Sequence, residues 1–240
     1  MNASLARNPF AALCLPKVWR DFGAFVLRPR WMEPAGLRAK GAWRVLALML
    51  ALHLAVMAAL MPVLSLWQGS MGLSGPDAFG QVPQVWLAPI VVLLAPVLEE
   101  CVFRGWLNGR PRALWLLAVL AAASAGIAMA QPSPWPTVAV FFGGLLAAPI
   151  GWLVLRKRRT PQVWRARWFA LPFYAGALLF GLMHLMNYPQ PGLLMLPMVL
   201  PQLWAAFTLG YLRMRIGLTA SILAHATSNA LALGLAMAGG

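Results

Sequence analysis

Acidic side chains are scarce in this 240-residue chain: Asp and Glu together number five, against 19 Lys and Arg. Charged residues of either sign make up only 10% of the sequence, where an ordinary soluble domain carries roughly a quarter. That shortage, with 61% apolar residues and a mean hydropathy of +0.73, excludes a sizeable water-soluble core. Cysteine is nearly absent as well. Cys14 and Cys101 are the only two, which excludes a disulfide-built scaffold, and both are expected to be packing residues. There is no repeat of solenoid length. No signal-peptide core followed by a cleavage site precedes the first apolar run, so that run is expected to act as an uncleaved anchor. The zinc-protease string H-E-x-x-H is missing too.

Long apolar runs are what the chain does have. Seven reach the roughly 20 residues that a bilayer-spanning helix needs: Trp43–Trp67, Val85–Leu107, Ala113–Ala130, Trp135–Leu155, Pro172–Tyr188, Leu193–Leu212 and Gly217–Met237. Helices satisfy their own backbone hydrogen bonds, which lipid cannot do. The expected fold is therefore all-α, a polytopic membrane helical bundle of about seven transmembrane helices. The short connections predict one transmembrane domain over 41–240, preceded by a basic amphipathic segment, 1–40.

The basic residues add an orientation. Eight lie between Arg7 and Arg44, Arg104, Arg110 and Arg112 close or follow the second run, six lie between Arg156 and Arg167, and Arg213 and Arg215 follow the sixth run. In a seven-span arrangement all fall on one side. The positive-inside rule makes that side the cytoplasm, with the N-terminus cytoplasmic, and the chain is expected in the plasma (inner) membrane. The net charge of +14 is thus read as topology and attraction to an anionic inner leaflet, not as affinity for nucleic acid. Trp19, Phe22, Phe25 and Trp31, interleaved with cations, suit a segment lying on the membrane surface. Trp43, Trp67, Trp86, Trp106, Trp135, Trp152 and Trp168 fall near run ends, as an aromatic belt does.

Three of the five acids, Asp21, Glu33 and Asp77, sit in polar or loop-like surroundings. Glu99 and Glu100 lie side by side inside the second apolar run. A charge at membrane depth costs a few kcal/mol or more and marks function by default, usually with a partner. The spacing supplies one: Glu100 and Arg104 are four apart, on one helix face. Glu99, about 100° further round, is left to face a site as a general base. Two more patterns follow on other runs, Phe180-x-x-x-His184 with Asn187 beyond it, and His225-x-x-x-Asn229. His225 and Asn229 share a face and can aim two donors at one point. At 1.5 Å per residue Glu99 and His225 lie at similar depths, roughly 12 Å from the basic side, and His184 at roughly 18 Å. His53, with no polar neighbour at helical spacing, is read as structural or water-facing.

These patterns, in this order and on separate runs, resemble the CPBP family of CaaX proteases and bacteriocin-processing enzymes, also called Abi proteins. The wording around them matches as well: Glu99-Glu100-x-x-Phe103-Arg104-Gly105, Phe180-Gly181-Leu182-x-His184-Leu185-x-Asn187 and His225-x-x-x-Asn229. The resemblance implies intramembrane proteolysis of a membrane-bound or lipidated peptide or protein, with no cofactor. Glu99 and His184 would activate a water, and His225 and Asn229 would stabilise the oxyanion. Glu100, Arg104, Phe180 and Asn187 would support them. Two alternatives stay open. Glu99, His184 and His225 would make an acceptable three-ligand zinc set, and the same frame could serve a non-catalytic immunity or transport protein. The string Gly72-Leu73-Ser74-Gly75 matches a short serine-protease motif, but Pro76 and Asp77 follow it in a loop, and it is read as chance.

Overall fold

The computed structural model describes residues 16–77, 80, 82–160 and 168–239. The expectations attached to Arg7, Cys14, Arg165 and Arg167, and to the first part of the 1–40 segment, lie outside them. Among the described residues the chain is helical, with no strands. The helices are α1 (Lys17–Leu27), α2 (Ala42–Ser70), α3 (Gln84–Ala88), α4 (Ala95–Arg104), α5 (Pro111–Ala130), α6 (Pro134–Leu155), α7 (Ala170–Met183), α8 (Leu200–Arg215) and α9 (Leu218–Gly239).

Among the described residues seven helical spans are long and apolar enough to cross a membrane: Ala42–Ser70, Gln84–Asn108, Pro111–Ala130, Pro134–Leu155, Ala170–Asn187, Leu193–Arg215 and Leu218–Ala238. The protein is an integral, multi-pass membrane protein. Each span overlaps one of the apolar runs of the sequence, because hydropathy and length alone decide where such a helix can lie. Prolines set several starts. Pro111 and Pro134 open α5 and α6, where a missing N–H costs nothing and the fixed φ already suits the helix.

Proline also breaks the second span. Between α3 and α4 the backbone widens into a π-helical segment, Pro89–Leu94, and beyond α4 it tightens into a 3-10 turn, Gly105–Asn108. Pro96 has no N–H, so the i+5 pattern of the wide segment leaves the Val91 carbonyl without its donor. A side chain from α9 meets that need. Gly109 ends the span at φ 66°, a left-handed conformation that glycine adopts freely.

Helix α8 is the centre of the bundle. It packs against α1, α2, α7 and α9 and buries residues on most of its surface, among them Thr208, Leu209, Gly210, Leu212 and Met214. The hairpin of α5 and α6 is peripheral. Its helices pack closely on each other, with Gly144 against Ala123 and Gly126 against Val140, and meet the remainder of the chain mainly through the 3-10 turn after α4.

In the N-terminal segment, the aromatic side of α1 turns onto protein. Phe22 and Phe25 are buried, with ring centroids 5.6 Å from Trp204 for Phe22 and 5.1 Å from Phe173 for Phe25. Trp19 Nε1 donates to the Leu48 carbonyl, and Trp31 Nε1 to that of Asn108. An apolar helix face fits an apolar protein surface as well as it fits lipid, so its pattern does not distinguish the two. At the span ends Trp43, Trp86, Trp135, Trp152 and Trp168 are exposed, as a belt requires.

The loops after α4 and α6, the segment around Trp31 and the end of α8 come together at one end of the bundle. There Arg110, Arg156, Lys157, Arg158, Arg159 and Arg213 surround a common cavity, which makes this the basic end of the molecule.

Candidate active site

Helix α4 carries both glutamates, about 14 Å of helix from the basic end of its span at Asn108. It packs against α9, which carries His225, and against α7, which leads into the turn opened by His184. Glu100 is completely buried. Arg104 Nη1 donates to its Oε1, the i,i+4 pair that the spacing predicts. A second partner comes from another helix: His225 Nδ1 lies 2.9 Å from the same oxygen. A carboxylate only accepts here, so His225 donates through Nδ1 and its Nε2 is turned the other way.

That Nε2 points toward Glu99, 3.9 Å from Oε2. The distance is too long for a hydrogen bond and suits an intervening water. Glu99 Oε2 is shielded and has no hydrogen-bond partner among the described residues, although the side chain as a whole is 30% exposed. The two adjacent glutamates therefore differ completely. One is held between a guanidinium and an imidazole, and the other has no hydrogen-bond partner at Oε2 in a side chain that is part-exposed.

Phe180 on α7 joins the parts. It is 1% exposed. Its ring lies 4.7 Å from the His184 ring and 6.2 Å from that of His225, and the Arg104 guanidinium sits 4.1 Å from its centroid. Phe103 packs on it edge-on at 5.0 Å. Arginine over an aromatic face gains from the ring quadrupole, up to about 2 kcal/mol when water is excluded.

Helix α7 starts at Ala170, slightly before the expected Pro172, which sets His184 near 21 Å from the basic end. His184 opens a 3-10 turn, His184–Asn187, where α7 stops. Its Nδ1 donates to the Phe180 carbonyl at 2.7 Å. This fixes the tautomer and leaves Nε2 as a free lone pair. No hydrogen bond joins His184 to either glutamate; the link runs through Phe180. Asn187 closes the 3-10 turn, its backbone carbonyl accepting from Asp77 N at 2.7 Å. Among the described residues no three His, Cys, Asp or Glu side chains group closely enough to hold a metal ion.

Asn229, one turn beyond His225 on α9, has a task that spacing did not reveal. Its Nδ2 donates to the Val91 carbonyl at 2.9 Å, the acceptor that Pro96 leaves unserved. One amide hydrogen is used in this way and one remains.

Two further residues reach the site from outside the motifs. His53 on α2 is buried, with Nε2 3.0 Å from Ser228 Oγ and Nδ1 3.4 Å from Thr208 Oγ1. It ties α2 and α8 to the stretch of α9 between His225 and Asn229. Its polar partners lie on other helices, where no helical spacing could show them. Arg213, read in the sequence only as a topology charge, is buried at the end of α8. Its Nε donates to the Arg104 carbonyl at 2.9 Å and its Nη2 to that of Gly105 at 3.3 Å. It thus caps the end of the helix that carries both glutamates, where carbonyls lack partners and the dipole is negative.

The family model described as type II CAAX prenyl endopeptidase Rce1-like matches the chain over residues 81–164 and 153–231. Together these run from before α3 into α9, cover more than half of the 240 residues and take in every residue of the cluster except His53. No curated protein and no solved structure matches the chain.

Proposed function

The chain belongs to the Rce1-like family of type II CAAX prenyl endopeptidases, and from that membership together with the cluster on α4, α7 and α9 we propose a glutamate-based mechanism for it. In this reading the protein hydrolyses a peptide bond in a membrane-bound or lipidated peptide or protein, without a cofactor. The observation that carries it is the pair of adjacent glutamates in opposite states, with Glu99 Oε2 unpartnered 3.9 Å from a histidine that Glu100 has already oriented.

A water between Glu99 and His225 would sit about 2.8 Å from each. Glu99 removes one of its protons as the water oxygen attacks the scissile carbonyl carbon, and the carbonyl π electrons move onto oxygen. His184 Nε2, its tautomer held by the Phe180 carbonyl, accepts the water's other hydrogen and steers the lone pair. The oxyanion is met by a protonated His225 Nε2 and the spare Asn229 hydrogen; one such donor is worth a few kcal/mol of barrier. When the intermediate collapses, the C–N bond breaks and the amine leaves with the proton held by Glu99. The carboxylic acid formed then gives up the remaining water-derived proton to the freed Glu99 carboxylate, which passes it to solvent as the carboxylate product departs. Glu100 stabilises the His225 imidazolium as the buried aspartate of a hydrolase triad does. Arg104 keeps Glu100 ionised.

We place the protein in the plasma (inner) membrane with the basic end cytoplasmic, and the substrate would approach from that half of the bilayer. The test is mass spectrometry of membrane peptides from cells making the wild-type protein or the Glu99→Gln variant. Fragments that depend on Glu99, with the variant inserted in equal amount, support the reading. Identical peptide sets, with the wild type demonstrably present, remove it.

A further inference from the structure

The hairpin of α5 and α6 stands away from the bundle, and the gap behind it is not filled by side chains. A groove of about 340 Å³ runs there, walled by Leu116, Leu117 and Leu120 of α5, Trp152 of α6, and Cys101 and Leu218 on the bundle side. Its size falls in the range of small-molecule sites, roughly 300–1,000 Å³. At its mouth lies Arg112, whose guanidinium rests 4.4 Å from the Trp152 ring centroid. On the bundle side the groove is lined by Cys101 and Val102 of α4 and by Gly105 just beyond it, and not by Glu99.

A second cavity of about 550 Å³ adjoins it, and Asn108 and Arg213 line both. Six cations surround this vestibule: Arg110, Arg156, Lys157, Arg158, Arg159 and Arg213. One carboxylate, Glu33, also lines it, and it forms no ion pair with any of the six. The walls are fastened together. The Asn108 carbonyl accepts from Trp31 Nε1 at 3.1 Å and from Thr160 Oγ1 at 2.9 Å, binding the N-terminal segment and the loop after α6 to the end of the second span.

Depth decides what such a pair of cavities fits. Asn108 ends the second span and Pro111 begins the third, so the vestibule lies at the level where a span leaves the hydrocarbon. From Arg112 to Leu120 the groove continues inward by about 12 Å of helix. Polyanion-sized positive charge at the interface, joined to an apolar slot at acyl-chain depth, has the outline of a single amphiphile. We propose that this composite cavity is a binding site for one anionic phospholipid, with the phosphate headgroup among Arg110 and Arg156–Arg159 and an acyl chain between the α5–α6 hairpin and α4. A soluble anion would leave the apolar half empty, and a zwitterionic lipid would leave the excess positive charge unmatched. The site is separate from the proposed hydrolysis and needs no turnover to be measured.

The experiment is native mass spectrometry and thermal unfolding of the full chain in detergent. It is titrated with phosphatidylglycerol, with phosphatidylcholine of the same chains, and with glycerol 3-phosphate. The expected result is one saturable phosphatidylglycerol adduct and a raised unfolding temperature, with neither effect from the other two. Arg158→Gln and Arg159→Gln, both exposed positions, should each weaken binding about fivefold. Leu116→Trp, at the exposed edge of the groove, should weaken it too. Lys17→Gln with Arg28→Gln, which removes two charges elsewhere at the surface where each of the two arginine variants removes one, should leave it unchanged. Equal retention of phosphatidylcholine, equally tight binding of glycerol 3-phosphate, or equal weakening by the Lys17 and Arg28 pair would each overturn the site. Glu99→Gln should bind as the wild type does, so loss of the lipid site and loss of the proposed peptidase are told apart.

Discussion

The Arg104 guanidinium lies 4.1 Å from the centre of the Phe180 ring, so a side chain of α7 covers the cation that pairs with Glu100 on α4. The same ring touches both imidazoles of the cluster. Removing it should therefore act on chemistry and stability together. Phe180→Leu keeps most of the apolar volume but loses the ring face, and should cost about 1–2 kcal/mol in detergent unfolding. Phe180→Ala should cost about 3–5 kcal/mol. In Phe180→Leu the turnover rate should fall by more than KM changes, because in the proposed mechanism the ring positions the groups that act on water and oxyanion. A Leu variant with wild-type unfolding and wild-type turnover would show that the ring only fills space.

The two glutamates should respond oppositely to the same substitution. Glu99→Gln removes the charge of a carboxylate that has no hydrogen-bond partner at Oε2, so the unfolding free energy should stay within about 1 kcal/mol of wild type while cleavage is lost. Glu100→Gln leaves Arg104 buried without its counter-ion and His225 without its acceptor. Breaking a buried pair in this way costs about 3–5 kcal/mol. Parallel unfolding and cleavage assays of the two variants give the answer. A stable, inactive Glu100→Gln beside an unstable, active Glu99→Gln would reverse the roles.

Metal dependence is separable from both. Cleavage by the purified protein should persist in the presence of a strong chelator and should not rise on adding zinc. Loss of activity on chelation, restored by zinc, would reassign Glu99, His184 and His225 as ligands.

How much of the fold and site was legible in sequence depended on whether the contact lay within one helix. Hydropathy alone placed the spans, and the Glu100–Arg104 pair follows from four-residue spacing. The bond from His225 to Glu100 crosses from α9 to α4, and periodicity carries no information about which helix a polar face meets. His53 shows the same limit: its partners, Ser228 and Thr208, are on α9 and α8. Arg213 was hidden by its own usefulness as a topology signal, since a cation at a span end already has a sufficient explanation. Phe22 and Phe25 were visible as an aromatic face, but lipid and protein solicit the same face.

Asn229 offers a test of the link between backbone and site. If its amide replaces the donor that Pro96 lacks, the two positions must be coupled. Asn229→Leu should destabilise by about 1–3 kcal/mol in the wild-type background, the cost of an unserved carbonyl. In a Pro96→Ala background, where an N–H is restored at position 96, the same substitution should cost less, with a coupling of at least about 0.5 kcal/mol. Strict additivity of the two in unfolding measurements would mean that the Val91 carbonyl does not depend on either.

Arg213 carries the question from the glutamates to what holds their helix. Its Nε and Nη2 meet two successive carbonyls, those of Arg104 and Gly105, and only a guanidinium presents two donors in that fork. Arg213→Lys keeps the charge near the helix end but loses the fork, and Arg213→Gln loses the charge as well. Hydrogen bonds from charged groups are worth about 1.5–3 kcal/mol each, so Gln should destabilise clearly and Lys by less. If the fork also fixes the rotation of α4, and with it the direction of Glu99, the Lys variant should show a lower turnover rate at unchanged KM even at temperatures where it is fully folded. A Lys variant that loses stability but turns over normally when folded would confine Arg213 to holding the helix end, and the alignment of Glu99 would then have to come from Phe180 and α9 alone.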